Sequence, residues 1–164
     1  LELLADHPNV IVTRTMSKAF AMAGARIGYA AAHPSIIDAL RIVRLPYHLS
    51  LVSQAVARVA LAHAGELQSG LQILRYERDA LVAALGDRGL QVAPSDANFC
   101  LFGVFADRHE VWQQLVDRGV LIRETGPAGW LRVSVGTPEE NARFITALDE
   151  SLADLGQGAL VIDE

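Results

Sequence analysis

The segment TMSKAFAMAGARIGY occupies residues 15–29 and contains the only lysine of the chain, Lys18. The hydroxyl residues Thr15 and Ser17 precede this lysine, and Arg26 follows it by eight positions. Hydroxyls and a guanidinium are suitable donors for a phosphate group, and a lysine amine can condense with an aldehyde. Partial burial beside a cation such as Arg26 would favour the neutral, nucleophilic amine. The segment therefore indicates a site for a ligand that carries both a phosphate and an aldehyde.

Two short strands are expected on either side of this segment. Residues 10–13 form a β-branched run, and residues 27–31 form a second short apolar run. Between them, alanine and glycine leave little side-chain bulk, which predicts a loop or a short helical turn over residues 15–26. We therefore expect the lysine and the arginine to lie on a loop that follows a strand.

The rest of the chain divides into a helical part and a mixed part. Apolar spacing predicts helices over residues 34–45, 50–65 and 66–88. Later segments predict strands at residues 90–92, 98–104, 120–123 and 130–135, with helices at residues 110–118 and 138–152. We expect residues 1–65 to be the remainder of a larger sheet-containing domain, residues 66–155 to form a compact α/β domain with its bridging helix, and residues 156–164 to be a fraying tail.

The composition is typical of a globular protein without a nucleic-acid partner. Of the 164 residues, 51% are hydrophobic and 20% are charged, and the net charge is -5. Because no run of lysine and arginine occurs, we expect neither nucleic-acid binding nor a basic membrane-binding patch. The longest apolar stretch is too short for a bilayer core of roughly 30 Å, so we expect no transmembrane segment.

The cysteine and histidine content favours a reduced protein without a metal. Cys100 is the only cysteine and lies in an apolar run, so we expect a buried hydrophobe and a reducing cytoplasm. The five histidines show no spacing typical of metal ligands, and we expect no metal site. The chain begins with Leu1 and has no signal-peptide pattern, so we expect it to start midway in a longer protein.

Two arginines form a second candidate site. Arg123 and Arg132 lie on predicted strands joined by a turn at Gly126 and Pro127. A hairpin of this kind can bring the two arginines close together. A planar guanidinium can bind a carboxylate with two parallel hydrogen bonds, but arginine is also common on an exposed strand for solubility alone, so the residues by themselves leave both readings open.

The lysine segment resembles that of the fold-type I pyridoxal-phosphate enzymes. The resemblance implies an α/β fold of the aspartate aminotransferase type, with residues 1–65 as the end of the large cofactor-binding domain and residues 66–155 as the small C-terminal domain. It also implies that Lys18 is the catalytic residue and binds pyridoxal 5'-phosphate covalently. The residues implied as ligands of the cofactor phosphate are Arg26, Ser17 and Thr15.

Further segments are similar to those of the histidinol-phosphate aminotransferases, namely residues 44–50, 94–99, 121–123 and 130–141. The resemblance implies transamination of histidinol phosphate with 2-oxoglutarate or glutamate in histidine biosynthesis, by a homodimer when full length. In such enzymes the arginine that matches Arg132 anchors the substrate carboxylate. Because histidinol phosphate has a phosphate where glutamate has a carboxylate, Arg123 and Arg132 together could hold either anion.

Three alternatives remain open on the sequence alone. An aromatic amino-acid aminotransferase and a related phospho-amino-acid decarboxylase share the lysine and arginine signature, and a catalytically silent remnant of the fold would keep it. The family motifs for the aspartate that pairs with the pyridinium nitrogen, the ring-stacking aromatic and the tyrosine at the phenolic oxygen do not occur in the chain. We expect these residues before Leu1, and we expect the fragment alone to be impaired or inactive.

Overall fold

The computed structural model describes residues 1–156, and the remainder of the predicted tail lies outside the described residues. The chain divides into two compact units, Leu1–Leu71 and a second unit that begins at Gln72. The division falls inside the long helix Ala64–Gly86, two turns after its first residue. The structure therefore places the end of the first unit at residue 71, whereas the sequence pattern predicted residue 65.

The first unit contains a two-stranded antiparallel sheet. Strand β1, Ile11–Thr15, pairs with strand β2, Gly28–Ala32, with Ile11 opposite Ala32 and Thr15 opposite Gly28. A short 3₁₀ helix, Ala23–Ala25, lies in the connection between the strands. The predicted strand, loop and strand are thus confirmed, with ends shifted by one or two residues.

Helices make up most of the rest of the first unit. They are α1, Leu3–Asp6; α2, Pro34–Val43; α3, Leu51–Ala62; and the first part of α4, Ala64–Gly86. Helix α3 begins where the side chain of Ser50 accepts a hydrogen bond from the backbone N–H of Ser53 at 3.0 Å. This contact satisfies one of the free N–H groups of the first turn.

The second unit contains a three-stranded antiparallel sheet in the order β3, β4, β5. These strands are β3, Gln91–Val92; β4, Phe99–Gly103; and β5, Leu131–Ser134. Two further helices are α5, Arg108–Asp117, and α6, Pro138–Leu155. A capping box formed by Thr137 and Glu140 begins α6.

The strand predicted at residues 120–123 is wrong. Only Arg123 forms a bridge, and its partner is Arg132 of β5. The preceding residues bond to α5 instead, because the N–H of Val120 donates to the Leu115 carbonyl and the Ile122 carbonyl accepts from Trp112. These groups are therefore not available for a sheet ladder.

The core of the second unit lies on one face of its sheet. Cys100 and Phe102 of β4 are fully buried, and Phe102 contacts the rings of Phe105 and Phe144 edge to face at 5.7 Å. The prediction that Cys100 is a buried hydrophobe is confirmed, and its burial raises the pKa of the thiol. The side chains of the alternate residues of β4 point to the opposite face of the sheet.

The first unit buries far fewer side chains. Its buried apolar residues are Met16, Met22, Ile27 and Ala57. No helix within residues 1–156 is long and apolar enough to cross a membrane. In the same range, no group of three or more His, Cys, Asp or Glu side chains is placed to hold a metal ion.

Candidate functional site

The lysine lies on a loop whose base is fixed by the sheet of the first unit. The N–H of Met16 donates to the carbonyl of Ile27 at 3.1 Å, directly after the last pair of β1 and β2. The N–H of Met22 then donates to the carbonyl of Met16 at 3.2 Å, which folds the loop back on itself. All three side chains are buried, so the loop that carries Lys18 stands on an apolar base.

Two hydroxyl groups lie together just before the lysine. The backbone N–H of Ser17 donates to Oγ1 of Thr15 at 3.1 Å, and the two side-chain oxygens are 2.9 Å apart. This local turn is typical of Ser and Thr side chains that bond to nearby backbone. It presents both hydroxyls at the end of β1, one and three residues before Lys18.

The amine of Lys18 is exposed and makes no hydrogen bond or ion pair within residues 1–156. The partial burial expected from the sequence is therefore not supplied by the part of the chain that the structure describes. A lysine without a carboxylate partner has its amine free for an external electrophile. The structure thus leaves Lys18 accessible for a covalent bond to a ligand.

Arg26 follows the short helix of this loop in an uncommon backbone conformation. Its φ is 54°, in the left-handed region where non-glycine residues are uncommon. Its guanidinium is exposed and makes a single long contact, 3.4 Å, to the carbonyl of Ala23. Backbone conformations of this kind cluster at ligand-binding sites, where the surrounding structure holds them in place.

A close backbone approach beside Arg26 requires glycine at position 28. A Cβ on Gly28 would lie 2.7 Å from the carbonyl oxygen of Arg14 on the neighbouring strand. Gly28 is opposite Thr15, so this contact lies at the end of the sheet that carries the loop. The glycine therefore lets the two strands approach closely beside the candidate site.

The donor set of this loop fits a phosphorylated aldehyde. The loop and its ends carry an exposed lysine amine, two adjacent hydroxyls and a guanidinium, and neither the amine nor the guanidinium has a carboxylate partner in the described residues. Hydroxyls and guanidinium suit the oxygens of a phosphate, and the amine suits a carbonyl carbon. All four residues predicted from the sequence lie on or beside one loop.

The two predicted anion-binding arginines lie opposite each other in the second unit. Arg123 N–H donates to the Arg132 carbonyl at 3.0 Å, and Arg132 N–H donates to the Arg123 carbonyl at 2.9 Å. Directly opposed residues of an antiparallel pair have their side chains on the same face. The bridge therefore places both arginine side chains on one face of the sheet.

Phe99 supports Arg132 in a way that the sequence pattern did not reveal. The guanidinium carbon of Arg132 lies 4.8 Å from the centre of the Phe99 ring, within cation–π range. The Nε of Arg132 is buried and makes no hydrogen bond in the described residues. The preceding turn is fixed by Ser95, which donates to the Phe99 carbonyl at 2.7 Å. Pairing of β4 with β5 creates the contact, so no local motif could have predicted it.

A cavity of about 800 Å³ lies beside the bridge. Its lining includes both bridged arginines and a third, Arg143 of α6. Asn141, also in the lining, accepts a hydrogen bond from the Gly136 N–H at 3.0 Å and donates to Glu77 at 2.9 Å. The sequence pattern did not single out Arg143 or Asn141, because each looks like an ordinary polar residue of a helix.

Glu124, next to Arg123, binds two side chains of α5. His109 Nδ1 lies 2.9 Å from one carboxylate oxygen, and Arg108 Nε donates to the other at 3.3 Å. The hydrogen bond with Glu124 is the main cause that raises the pKa of His109, and the same bond lowers the pKa of Glu124. The sequence contained no signal for this cluster, because its members are about fifteen residues apart.

These features define a class of protein. A lysine loop between two strands, together with a separate α/β unit that carries paired arginines, corresponds to the parts expected of a fold-type I pyridoxal-phosphate enzyme. The sequence profile of the family described as aminotransferase class I and II matches residues 1–148. The chain belongs to this family, which confirms the resemblance found in the sequence.

Two curated relatives are named histidinol-phosphate aminotransferase. The protein from Thermobifida fusca is 66% identical over 148 residues, which cover 90% of this chain and 40% of the relative. The protein from Frankia casuarinae is 56% identical over 159 residues, which cover 97% of this chain and 40% of the relative. The chain therefore spans about 40% of the length of the curated relatives that it matches.

A solved structure has the same fold. It is the crystal structure of histidinol-phosphate aminotransferase from Sinorhizobium meliloti in complex with pyridoxal-5'-phosphate. The TM-score is 0.80 at 29% sequence identity, and the match covers 94% of this chain and 44% of that chain. The predicted fold class, α/β of the aspartate aminotransferase type, is confirmed.

Proposed function

We propose that the protein containing this chain transfers an amino group between histidinol phosphate and the 2-oxoglutarate/glutamate pair, with pyridoxal 5'-phosphate as cofactor. The observation that carries the proposal is the loop of Lys18, which carries an exposed amine and two adjacent hydroxyls and ends at an arginine that has no carboxylate partner within residues 1–156. The matching relatives are named for this substrate and support its choice. The reaction would belong to histidine biosynthesis and would take place in the cytoplasm.

The residues of the loop would have two roles, cofactor binding and proton transfer. When bound, the cofactor supplies an electron sink that stabilises negative charge at the substrate Cα. Lys18 would bind the cofactor aldehyde and, once displaced by substrate, would move the proton as general base and then as general acid. Arg26, Ser17 and Thr15 would hold the phosphate by charge-assisted hydrogen bonds.

The two arginines of the second unit would bind the anionic end of each substrate. Histidinol phosphate carries a phosphate and glutamate a carboxylate, and a planar guanidinium can bind either through two hydrogen bonds. The bridge places Arg123 and Arg132 on the same face of the sheet. Neither guanidinium is paired with a carboxylate in the described residues, which leaves both available for a substrate anion.

The activity is proposed for the complete protein. The family resemblance implies further residues around the cofactor ring that the chain does not contain, so the fragment by itself would be impaired. We also propose that the complete protein is a homodimer, on the same resemblance. Its substrates would be small amino and keto acids and a phosphorylated amino alcohol.

The direct test is chemical labelling of the complete gene product. The protein is incubated with pyridoxal phosphate and reduced with borohydride, and its peptides are mapped by mass. We expect stoichiometric label at Lys18 and a large loss of label in an Arg26→Ala variant. The matched control is Arg58→Ala, an exposed arginine on α3, which should label normally. Label spread over other lysines, with Lys18 unmodified, would overturn the proposal and favour a silent remnant.

A second measurement separates the substrate alternatives. The rates of amino transfer from histidinol phosphate and from phenylalanine to 2-oxoglutarate are compared in competition. Preference for histidinol phosphate supports the proposal, whereas preference for phenylalanine indicates an aromatic aminotransferase. Release of carbon dioxide from a phospho-amino acid would instead indicate a decarboxylase.

A further inference from the structure

The residue before Arg123 is fixed by helix α5. The indole N–H of Trp112 donates to the carbonyl of Ile122 at 2.9 Å. The Trp112 ring stacks on His109 with a centroid distance of 5.6 Å, and the Ile122 side chain is buried in the core. Ile122, which precedes Arg123, therefore cannot move without breaking its contacts to the helix.

The residue after Arg123 is fixed by the first turn of the same helix. Glu124 bonds to Arg108 and His109, as described above, and its side chain is 29% exposed. Arg108 also donates to the carbonyls of Gly126 and Pro127, at 3.2 and 2.8 Å. One guanidinium thus holds both the carboxylate of Glu124 and the turn that follows it.

Few contacts of Arg123 itself fix its position. Its side chain is exposed and makes no hydrogen bond or ion pair within residues 1–156. Within the described residues its backbone bonds only to Arg132, through the two hydrogen bonds of an isolated bridge. The segment before the bridge forms no strand, so the direction of Arg123 depends on the fixed residues on either side of it.

We propose that Glu124, held by Arg108 and His109, is a positioning residue that aims Arg123 at the substrate anion. The inference rests on the proposed function, in which Arg123 binds that anion. Glu124 would not touch the substrate. It would act by keeping Arg123 opposite Arg132 and by fixing the orientation of Arg123. Small misplacements of a binding group weaken binding strongly, because hydrogen bonds lose strength with distance and angle.

Charge and geometry predict opposite results when this carboxylate is removed. Glu124 is a negative charge next to an anion-binding arginine, so its loss should by charge alone strengthen anion binding. Loss of positioning should weaken it. A higher KM in Glu124→Ala therefore reports geometry and not charge.

The test measures KM and kcat of the complete protein with histidinol phosphate and with 2-oxoglutarate. For Glu124→Ala we expect KM to rise about threefold to tenfold for both substrates, with kcat changed less than about twofold. Glu124→Gln keeps one acceptor for Arg108, and we expect its increase in KM to be at most half of that in Glu124→Ala. An unchanged or lowered KM in Glu124→Ala would overturn the inference.

A double-mutant cycle separates this inference from the function on which it rests. Arg123→Ala should raise KM, and Glu124→Ala added to it should cause little further change, because the residue to be positioned is gone. If Arg123→Ala has no effect, the anion-binding role of Arg123 fails, and the inference fails with it. If Arg123→Ala raises KM but Glu124→Ala adds an independent increase to it, only the inference fails.

A control variant excludes a general loss of stability. Asp149→Ala removes an ion pair with Arg88, whose Nε lies 2.5 Å from the carboxylate, in the same unit and without a role in the site. We expect Asp149→Ala to lower the Tm without raising KM. If it raises KM as much as Glu124→Ala does, the effect of Glu124 is structural and the positioning role is overturned.

Discussion

Arg123 and Arg132 exchange two backbone hydrogen bonds, of 3.0 and 2.9 Å, although no strand surrounds Arg123. An isolated bridge of this kind fixes the mutual position of two residues more than it stabilises the sheet. Both side chains are consequently on one face, and Arg132 also lies against the ring of Phe99. The geometry suits the recognition of one anion by two guanidinium groups and leads to the following predictions.

Arg132→Lys should lower kcat/KM for histidinol phosphate and for 2-oxoglutarate. A lysine keeps the charge but cannot form two parallel hydrogen bonds, so we expect a loss of about 10-fold, and about 100-fold for Arg132→Ala. Steady-state kinetics with both substrates provide the measurement, and Arg58→Ala serves as the control. A normal kcat/KM in Arg132→Ala would show that this arginine does not bind substrate.

Phe99→Leu should weaken substrate binding through Arg132. Loss of the cation–π contact removes about 0.5–1 kcal/mol, so we expect KM to rise roughly twofold to fivefold. The same substitution in an Arg132→Ala background should have little further effect, which is the control. Equal effects in both backgrounds would mean that Phe99 acts independently of the arginine.

Gly28→Ala should disturb the loop of Lys18. The new Cβ would lie 2.7 Å from a backbone carbonyl, so the strands must separate, at a cost of about 1–3 kcal/mol. Borohydride labelling of Lys18 and the Tm should both fall. Gly24→Ala is the matched control, because a Cβ there meets nothing within 4 Å. Identical labelling of the two variants would contradict this account of Gly28.

The pair of His109 and Glu124 should stabilise the protein in a limited pH range. The pKa of His109 is raised from 6.5, and its contribution is complete below that value and is lost as the pH rises through the raised pKa. The pKa of Glu124 is lowered from 4.5, so its contribution is complete above that value and is lost as the pH falls through the lowered pKa. Asp107 and Arg108 also face the pair.

We therefore expect the difference in Tm between the wild type and His109→Gln to be largest at about pH 5–6. The difference should shrink towards pH 8. Thermal unfolding at several pH values measures it, and a difference that grows from pH 6 to pH 8 would contradict the pairing. His63→Gln is a suitable comparison, because it alters the contact of His63 with Glu66 in the first unit.

Asn141→Ala should destabilise the second unit. The buried amide accepts from the Gly136 N–H and donates to Glu77, and its removal leaves these groups without partners, at about 1–3 kcal/mol. The measurement is the shift in Tm. Asn98→Ala is the comparison, because the Asn98 side chain makes no hydrogen bond in the described residues. Equal shifts for both variants would count against the assigned role of Asn141.

Local patterns predicted most elements because each depends on neighbouring residues. The Ser50 cap, the capping box of α6 and the strands around the lysine loop all follow from spacing within a few positions. The prediction failed at residues 120–123, where the apolar run is typical of a strand. There the backbone bonds to α5, a partner that a local pattern does not show.

The sequence by itself determined the candidate site, because the order of residues places a single lysine, two hydroxyls and an arginine on one short loop. It also determined the family and the fold class through the same segment. Only the tertiary structure decided how the arginines are held. The ring of Phe99 under Arg132 and the bonds of Glu124 to α5 join residues far apart in the chain. Such contacts arise when strands pair and helices pack, so they depend on distances in space that the order of residues does not specify.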